Sequence, residues 1–441
     1  MNRREFLNTS MLAAAAVGAP TIVPSSVFGQ NAPSNRIHVG FIGTGRQGTT
    51  ANLPQMMAVP GVQVVSVCDV DRWRVGEAAK IVDRFYEKTS GQSSYKSCAL
   101  QSDFREILAD KNIDALMIST PDHWHVPMGL MAAAAGKHFA MEKPISLTVA
   151  QGRKLADAVK KTGVTARTDS EFRSIRAQNH AVELVRNGHI GRLERIEISF
   201  PSDPAPVGPQ PEMPVPKELN YNMWLGPAQS VPYTEKRVHD AFQHTRRPNW
   251  MRVNLYAQGM ITNWGAHYFD LAQWATNSDG SGPVEVEGKG EFPKSLWNTM
   301  INFEVTYRYA SGVIMTCKQT PTSTPSIQYF GSDAWIKVDG YPGVMSSSNV
   351  ALLDRNPGPG ELDFSKSLWD KNDFIASIQE KRQPLETIEN GHRAASIAQI
   401  GLIACRLGEK LQWDPEREAF HENNYADSLL AVPVERQDWA S

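Results

Sequence analysis

Gly43-Thr44-Gly45-Arg46-Gln47-Gly48 spells G-x-G-x-x-G at the end of an apolar, β-prone run, Ile37 to Ile42, and before a helix expected from about Gln47, which Pro54 would kink or restart. Glycines in that place let the backbone approach a pyrophosphate, whose charge the helix N-terminus stabilises. Asp69 lies 21 positions after Gly48, just past a second apolar run, Val62 to Val67. An acidic side chain at this spacing accepts from the ribose hydroxyls of a dinucleotide. A carboxylate there repels a 2′-phosphate and so favours NAD, while Arg46 and Arg72 are near enough to keep NADP as an alternative. A second group, Glu142-Lys143-Pro144, directly follows the strand-like run 137–141. Parallel sheets turn the carboxyl ends of their strands toward a ligand crevice, so a lysine in that position faces the ligand.

Alternating elements must position these groups. Helices are expected over 74–89, 103–109, 126–135 and 147–162, with strands at 115–118 and 164–166 between them. Strand–helix alternation implies a doubly wound parallel sheet, an α/β Rossmann domain over 36–168. Beyond residue 170 a helix over 177–187 precedes runs at 194–200, 284–292, 299–310, 312–320, 326–329 and 334–338, several at hairpin spacing. These predict an α+β C-terminal domain over 169–380 with a large, mostly antiparallel open sheet, holding substrate and mediating oligomerisation. Seven prolines within 201–216 mark an extended surface loop. The segment 381–441, with a helix over 391–410, is expected to pack back on the first domain.

The 441 residues suit two domains, with 41% hydrophobic and 21% charged residues. A formal net charge of −2 gives no electrostatic reason to bind nucleic acid or an anionic membrane. Arg3-Arg4, then Phe6-Leu7 and a short apolar stretch from Met11 to Val23, predict a twin-arginine signal over 1–30 and export of the folded protein to the periplasm or another extracytoplasmic space. That stretch is too short and too broken to span a bilayer, so no membrane partner beyond the export machinery is expected. Cys68, Cys98, Cys317 and Cys405 are widely spaced and predict buried thiols. His123 and His125 lack a carboxylate at ligand spacing, so no metal is expected.

Taken together, Gly43-Thr44-Gly45, Val67-Cys68-Asp69, Thr120-Pro121-Asp122-His123, Glu142-Lys143-Pro144, Gly188-His189-Ile190-Gly191, Trp224-Leu225-Gly226-Pro227 and Gly265-Ala266-His267 with Asp270 resemble the glucose-fructose oxidoreductase, inositol dehydrogenase and MocA family over nearly all of 36–420. The resemblance implies that Lys143 contacts the reacting hydroxyl and that Lys143 and His267 face the nicotinamide and the substrate carbon. Oxidising a carbinol requires its hydroxyl proton to leave; a histidine of ordinary pKa, about 6.5, can take it, and a lysine ammonium can hydrogen-bond the developing alkoxide. Which of the two is the base stays open at this level. Asn263 stands where the family's D-x-x-x-H pattern has aspartate, and an amide cannot stabilise an imidazolium as a carboxylate does. Thr120, Pro121 and His125 are expected beside the nicotinamide ribose, and Arg173, Trp264 and Tyr268, with His244, around the substrate.

The resulting expectation is an exported enzyme transferring a hydride between a sugar or polyol, or its keto form, and a tightly held NAD. A site that cannot exchange its cofactor must regenerate it, either by reducing a second acceptor or by returning the hydride after eliminating a glycosidic bond. The second route makes an NAD-dependent glycoside hydrolase or lyase the first alternative, and a catalytically inactive sugar-binding protein is the second. An open sheet exposing an apolar face predicts a homo-oligomer, a dimer or tetramer.

Overall fold

Ile37–Ile42 (β1), Val62–Cys68 (β2), Ala115–Ile118 (β4), His138–Glu142 (β5) and Ala166–Asp169 (β6) are short runs buried on both faces, as strands covered on two sides by helices must be. The computed structural model describes residues 36–90, 98–321, 324–431 and 436, so the expected signal over 1–30 lies outside the described residues. Together with Ala99–Gln101 (β3) these strands form one parallel sheet in the order β3-β2-β1-β4-β5-β6. β3 has no counterpart in the sequence reading, because three partly exposed residues at a sheet edge show no apolar run. Register places Ile42 opposite Cys68 and Ile118, Ile118 opposite Met141, and Glu142 opposite Asp169. The carboxyl ends are therefore flush, and the residues that follow them share one edge.

The helix after β1 widens into a π-turn over Gly48–Asn52 before continuing as Leu53–Met57. Leu53 N–H reaches back to Gly48 O, and the wider turn accommodates Pro54, which has no N–H to donate. Two other helices of this domain begin at short polar caps: Asp103 accepts from Arg105 N–H and Thr148 from Gln151 N–H.

The second sheet has nine strands in the order β13-β12-β11-β7-β10-β9-β8-β14-β15. They are Leu193–Pro201 (β7), Pro283–Glu291 (β8), Ile301–Tyr309 (β9), Ile314–Thr320 (β10), Ser326–Gly331 (β11), Trp335–Asp339 (β12), Val344–Ser347 (β13), Leu411–Asp414 (β14) and Ala419–Phe420 (β15). Only β7 and β10 run parallel; the other pairs are antiparallel. Phe303, Val305, Tyr307 and Tyr309 alternate inward along β9, against the helices Gly265–Ala275 and Ile388–Leu407. The outward positions carry Arg195, Glu197, Glu304, Thr306, Arg308, Lys318 and Lys337. Among the described residues the outer face is therefore mostly polar, with partly exposed Ile314, Phe330 and Trp335 in one cross-strand row with Arg195. The stretch 202–216 carries no helix or strand and is mostly exposed.

The helix Ile388–Leu407 packs between this sheet and the Rossmann helix Val149–Thr162. Gln399 Nε2 donates to Ser146 O at 3.0 Å, and Arg153 reaches Glu389 and Glu418 at 2.8 Å each. An unforeseen helix, Asp370–Glu380, puts Phe374 and Ile375 into the core of the first domain. The chain thus returns to the first domain by residue 370, earlier than the expected 381. Its buried Asp370, Lys371 and Asp373 interrupt the apolar periodicity that would have announced it.

Candidate active site

A cleft of about 640 Å³ runs along the carboxyl edge of the parallel sheet and under the second domain. Its cofactor end is built by close backbone packing. A Cβ on Gly43, whose φ is +90°, would lie 2.6 Å from the Ser119 carbonyl, and one on Gly48 would lie 2.3 Å from Gly43 O. A Cβ on Gly45 would meet nothing within 4 Å, in the place where phosphates would approach the helix. Asp69 accepts from Thr44 N–H at 2.7 Å, from Thr44 Oγ1 at 3.0 Å and from Asp71 N–H at 3.0 Å. It therefore fixes the glycine loop while lining the cleft, and burial together with Asp71 raises its pKa. Thr120 Oγ1 is buried without a hydrogen-bond partner on the cleft wall. An open glycine, a carboxylate at the end of β2 and an orphaned hydroxyl past β4 fit a dinucleotide lying across the sheet edge.

At the other end Lys143, following β5, donates Nζ–H to Asn263 O at 3.3 Å. Burial lowers its pKa, opposed by Glu142 and Asp122, with Arg247 lowering it further. Glu142 is held by Asn52 Nδ2 at 2.8 Å. His267 stacks on Phe172 with ring centroids 4.3 Å apart, and its Nδ1 lies 2.6 Å from Ser170 O. A carbonyl can only accept, so Nδ1 carries the proton and Nε2 keeps its lone pair. Burial, and then the Lys143 ammonium, push this imidazole well below the usual histidine range, so it is neutral at pH 7.

Gly43, Gly45, Arg46, Gln47, Asp69, Thr120, Pro121, Glu142, Lys143, Asn263, Trp264 and His267 all line the cleft. Several expected residues do not. Arg72 turns its guanidinium to Lys217 O at 2.8 Å. His125 is fully buried with its ring nitrogens 2.7 Å from Pro144 O and 2.9 Å from Thr120 O, and because burial lowers its pKa its single N–H donates to one of these two carbonyls beneath the cleft. Arg173 is committed to Asp270 and Asp279 at 2.7 Å each. Tyr268 points into the core of the second domain against Phe172 and Phe200, and His244 packs on Trp73.

Other residues enter the cleft unannounced. Asp122 is buried beside Lys143, and burial holds its carboxyl well above the ordinary range. Glu171, at φ 60°, sits on the wall with its pKa pushed up to about 7 by burial and then Asp370. Tyr341 reaches in from the β12–β13 turn, and Arg246, Arg247, Trp250 and Met251 from a long irregular loop. The run Thr245-Arg246-Arg247-Pro248, basic and outside any periodic segment, was the one visible signal for that loop.

Residues 37–170 match the family model described as "Oxidoreductase family, NAD-binding Rossmann fold", and residues 208–441 match that of the family's C-terminal alpha/beta domain. The alpha-N-acetylgalactosaminidase of Shewanella oneidensis is 30% identical over 179 residues, 40% of this chain and 37% of that protein. The match spans less than half the length of such curated relatives. Levoglucosan dehydrogenase, solved with NADH and L-sorbose, aligns over 86% of this chain and 98% of its own with a TM-score of 0.61 at 18% identity. The aldose-aldose oxidoreductase of Caulobacter crescentus, solved with glycerol, aligns over 86% and 99% with a TM-score of 0.61 at 16% identity. At such identities the likeness is one of fold.

Proposed function

The chain belongs to the Gfo/Idh/MocA oxidoreductase family, whose first domain binds NAD, and from this we propose that it oxidises or reduces a carbinol carbon of a small sugar or polyol. The observation that carries the reading is the convergence of Lys143 Nζ and the unprotonated Nε2 of His267 in the cleft that the glycine loop opens. When bound, NAD supplies the hydride acceptor or donor. Gly43, Gly45, Arg46, Gln47, Asp69, Thr120 and Pro121 would hold it, with Glu142 and Lys143 at its reactive end. His267 Nε2 takes the hydroxyl proton as the alcohol is oxidised, and the Lys143 ammonium hydrogen-bonds the oxygen as charge develops on it. Trp264 offers an apolar face to sugar C–H groups.

A second reading has a specific observation in its favour. Glu171 is a further proton-transfer group on the wall, with a pKa near 7, for which simple alcohol oxidation has no use. A hydrolase of the transient-oxidation kind needs one. Oxidation at one ring carbon acidifies the neighbouring C–H, a base removes that proton, the glycosidic bond breaks, water adds and the carbonyl is reduced again. The naming of relatives as glycosyl hydrolase family 109 proteins, and of one as an alpha-N-acetylgalactosaminidase, points the same way.

The Arg3-Arg4 motif supports an extracytoplasmic location. One experiment tests these proposals: purify the protein from the periplasmic fraction of its host and assay bound nicotinamide, absorbance change with free sugars, and cleavage of glycosides. Bound nicotinamide reduced by a sugar supports the oxidoreductase, and glycoside cleavage without net reduction supports the hydrolase. Lys143→Ala should remove either activity by at least ~100-fold while nicotinamide stays bound. Unchanged turnover removes Lys143 from the mechanism, and absence from the periplasmic fraction counts against export.

A further inference from the structure

Arg247 lines the cleft close to Lys143, and among the described residues its only hydrogen bonds are from Nη2, to Asn263 Oδ1 at 2.5 Å and to Met260 Sδ at 3.7 Å. It forms no ion pair among the described residues. Its neighbours in the same loop differ: Arg246 reaches Asp240 at 3.4 Å and Arg252 reaches Asp203 at 3.1 Å. Burial lowers the Arg247 pKa to about 10; Asp203 partly offsets this, whereas Arg252 and Arg46 add to it. The group is still a cation at pH 7, and it is short of negative charge.

Asn263 is what leaves it so. The amide oxygen accepts one N–H but brings no charge, and the backbone carbonyl of the same residue is used by Lys143. An aspartate in the same place would pair with the guanidinium and cancel it. Nε and Nη1 of Arg247 make no hydrogen bond among the described residues, and a guanidinium presents such donors in a fork that matches an oxyanion. The one carboxylate that acts on it, Asp203, is already paired with Arg252 at 3.1 Å. Of the other carboxyls lining the cleft, burial raises the pKa of Asp122 and that of Glu171, the latter to about 7, Glu142 is tied to Asn52 and to Lys143 N–H, and Asp169 is paired with Lys371 at 2.6 Å.

We infer that the substrate carries an anionic group, a carboxylate or a sulfate or phosphate ester, and that Arg247 reads it, with Asn263 keeping the guanidinium unneutralised. This rests on the cleft being the substrate site of the oxidoreductase proposed above. The test uses the nicotinamide-loaded protein and calorimetric titration with D-glucuronate, D-galacturonate and D-glucose 6-phosphate against D-glucose and D-galactose, with inorganic sulfate as a minimal probe and chloride as the ionic-strength control. At least one acid should bind tenfold or more tightly than its neutral parent. Arg247→Gln and Asn263→Asp should each collapse that ratio to about one, and Arg247→Lys should recover part of it. Sulfate should raise the melting temperature of the wild type more than of Arg247→Gln.

The inference is overturned if no acid surpasses its parent and sulfate stabilises both proteins alike. It is also overturned if Arg247→Gln loses nicotinamide while the ratio stands, because the arginine then serves the cofactor's pyrophosphate. Acids that bind through Arg247 to a protein that never retains nicotinamide leave the anion site in place and remove the oxidoreductase reading. Neutral sugars that reduce the cofactor without preference do the reverse.

Discussion

At the scale of single residues, the tautomer of His267 decides the direction of proton flow. Its Nδ1–H is spent on Ser170 O, so the free Nε2 can only accept, and activity requires the neutral ring. Burial and Lys143 place that pKa well below 6.5, so kcat/KM should stay level as pH falls through 6.5 and drop only at more acid pH. On the alkaline side Lys143 must keep its proton. Its pKa is lowered from 10.5, so the rate should fall as pH rises through a value below 10.5. A pH–rate profile checks both limbs, and a fall centred at 6.5 would show that His267 is not buried beside a cation in the working enzyme. The residues legible from sequence were those whose role is set locally: the glycines, Asp69 and Lys143 each sit where a strand ends. Tyr268 was misplaced because one step along a helix turns a side chain by about 100°. Asn263, Trp264 and His267 share the cleft-facing side, whereas Tyr268 faces the core.

At the scale of elements, the helix Asp370–Glu380 supports the floor of the site. Lys371 Nζ lies 2.6 Å from Asp169, the last residue of β6, and 2.7 Å from Asp370, with all three side chains buried. Burial alone would lower the Lys371 pKa, but the two carboxylates outweigh it and raise it. Lys371→Met keeps the volume and removes the charge, leaving two buried carboxylates with only the Arg167 guanidinium, 4.0 Å from Asp169, as a nearby cation. Such a change should cost about 3–5 kcal/mol, read as a lower denaturation midpoint in urea. A loss under about 1 kcal/mol would mean that the carboxylates take up protons instead and that the pair is not structural. This helix was invisible in the sequence because its buried face is half ionic. The strands β7 to β12, by contrast, were readable because period-two alternation survives wherever one face of a sheet meets solvent.

At the scale of the whole molecule, the cleft lies between two domains, and a ligand filling it binds the folded chain and not the unfolded one. NAD added at 100 times its dissociation constant to stripped protein should therefore stabilise it by about 2.7 kcal/mol. Differential scanning calorimetry would show this as a rise in melting temperature, and no rise would deny the cleft its cofactor. The same geometry separates what each level of organisation settled. The sequence alone determined the Rossmann domain, the predominantly antiparallel second sheet, the dinucleotide preference and the lysine at the end of β5, because each depends on residue types within one strand–turn–helix unit or on a short period. Which loop of the second domain overhangs the site, that Arg72 and Arg173 point elsewhere, that His267 presents Nε2, and that Arg247 stands beside an amide and not a carboxylate were decided only by tertiary structure. Those contacts join residues far apart in the chain, such as Lys143 with Asn263 and Ser170 with His267, and no local pattern encodes the distance between them.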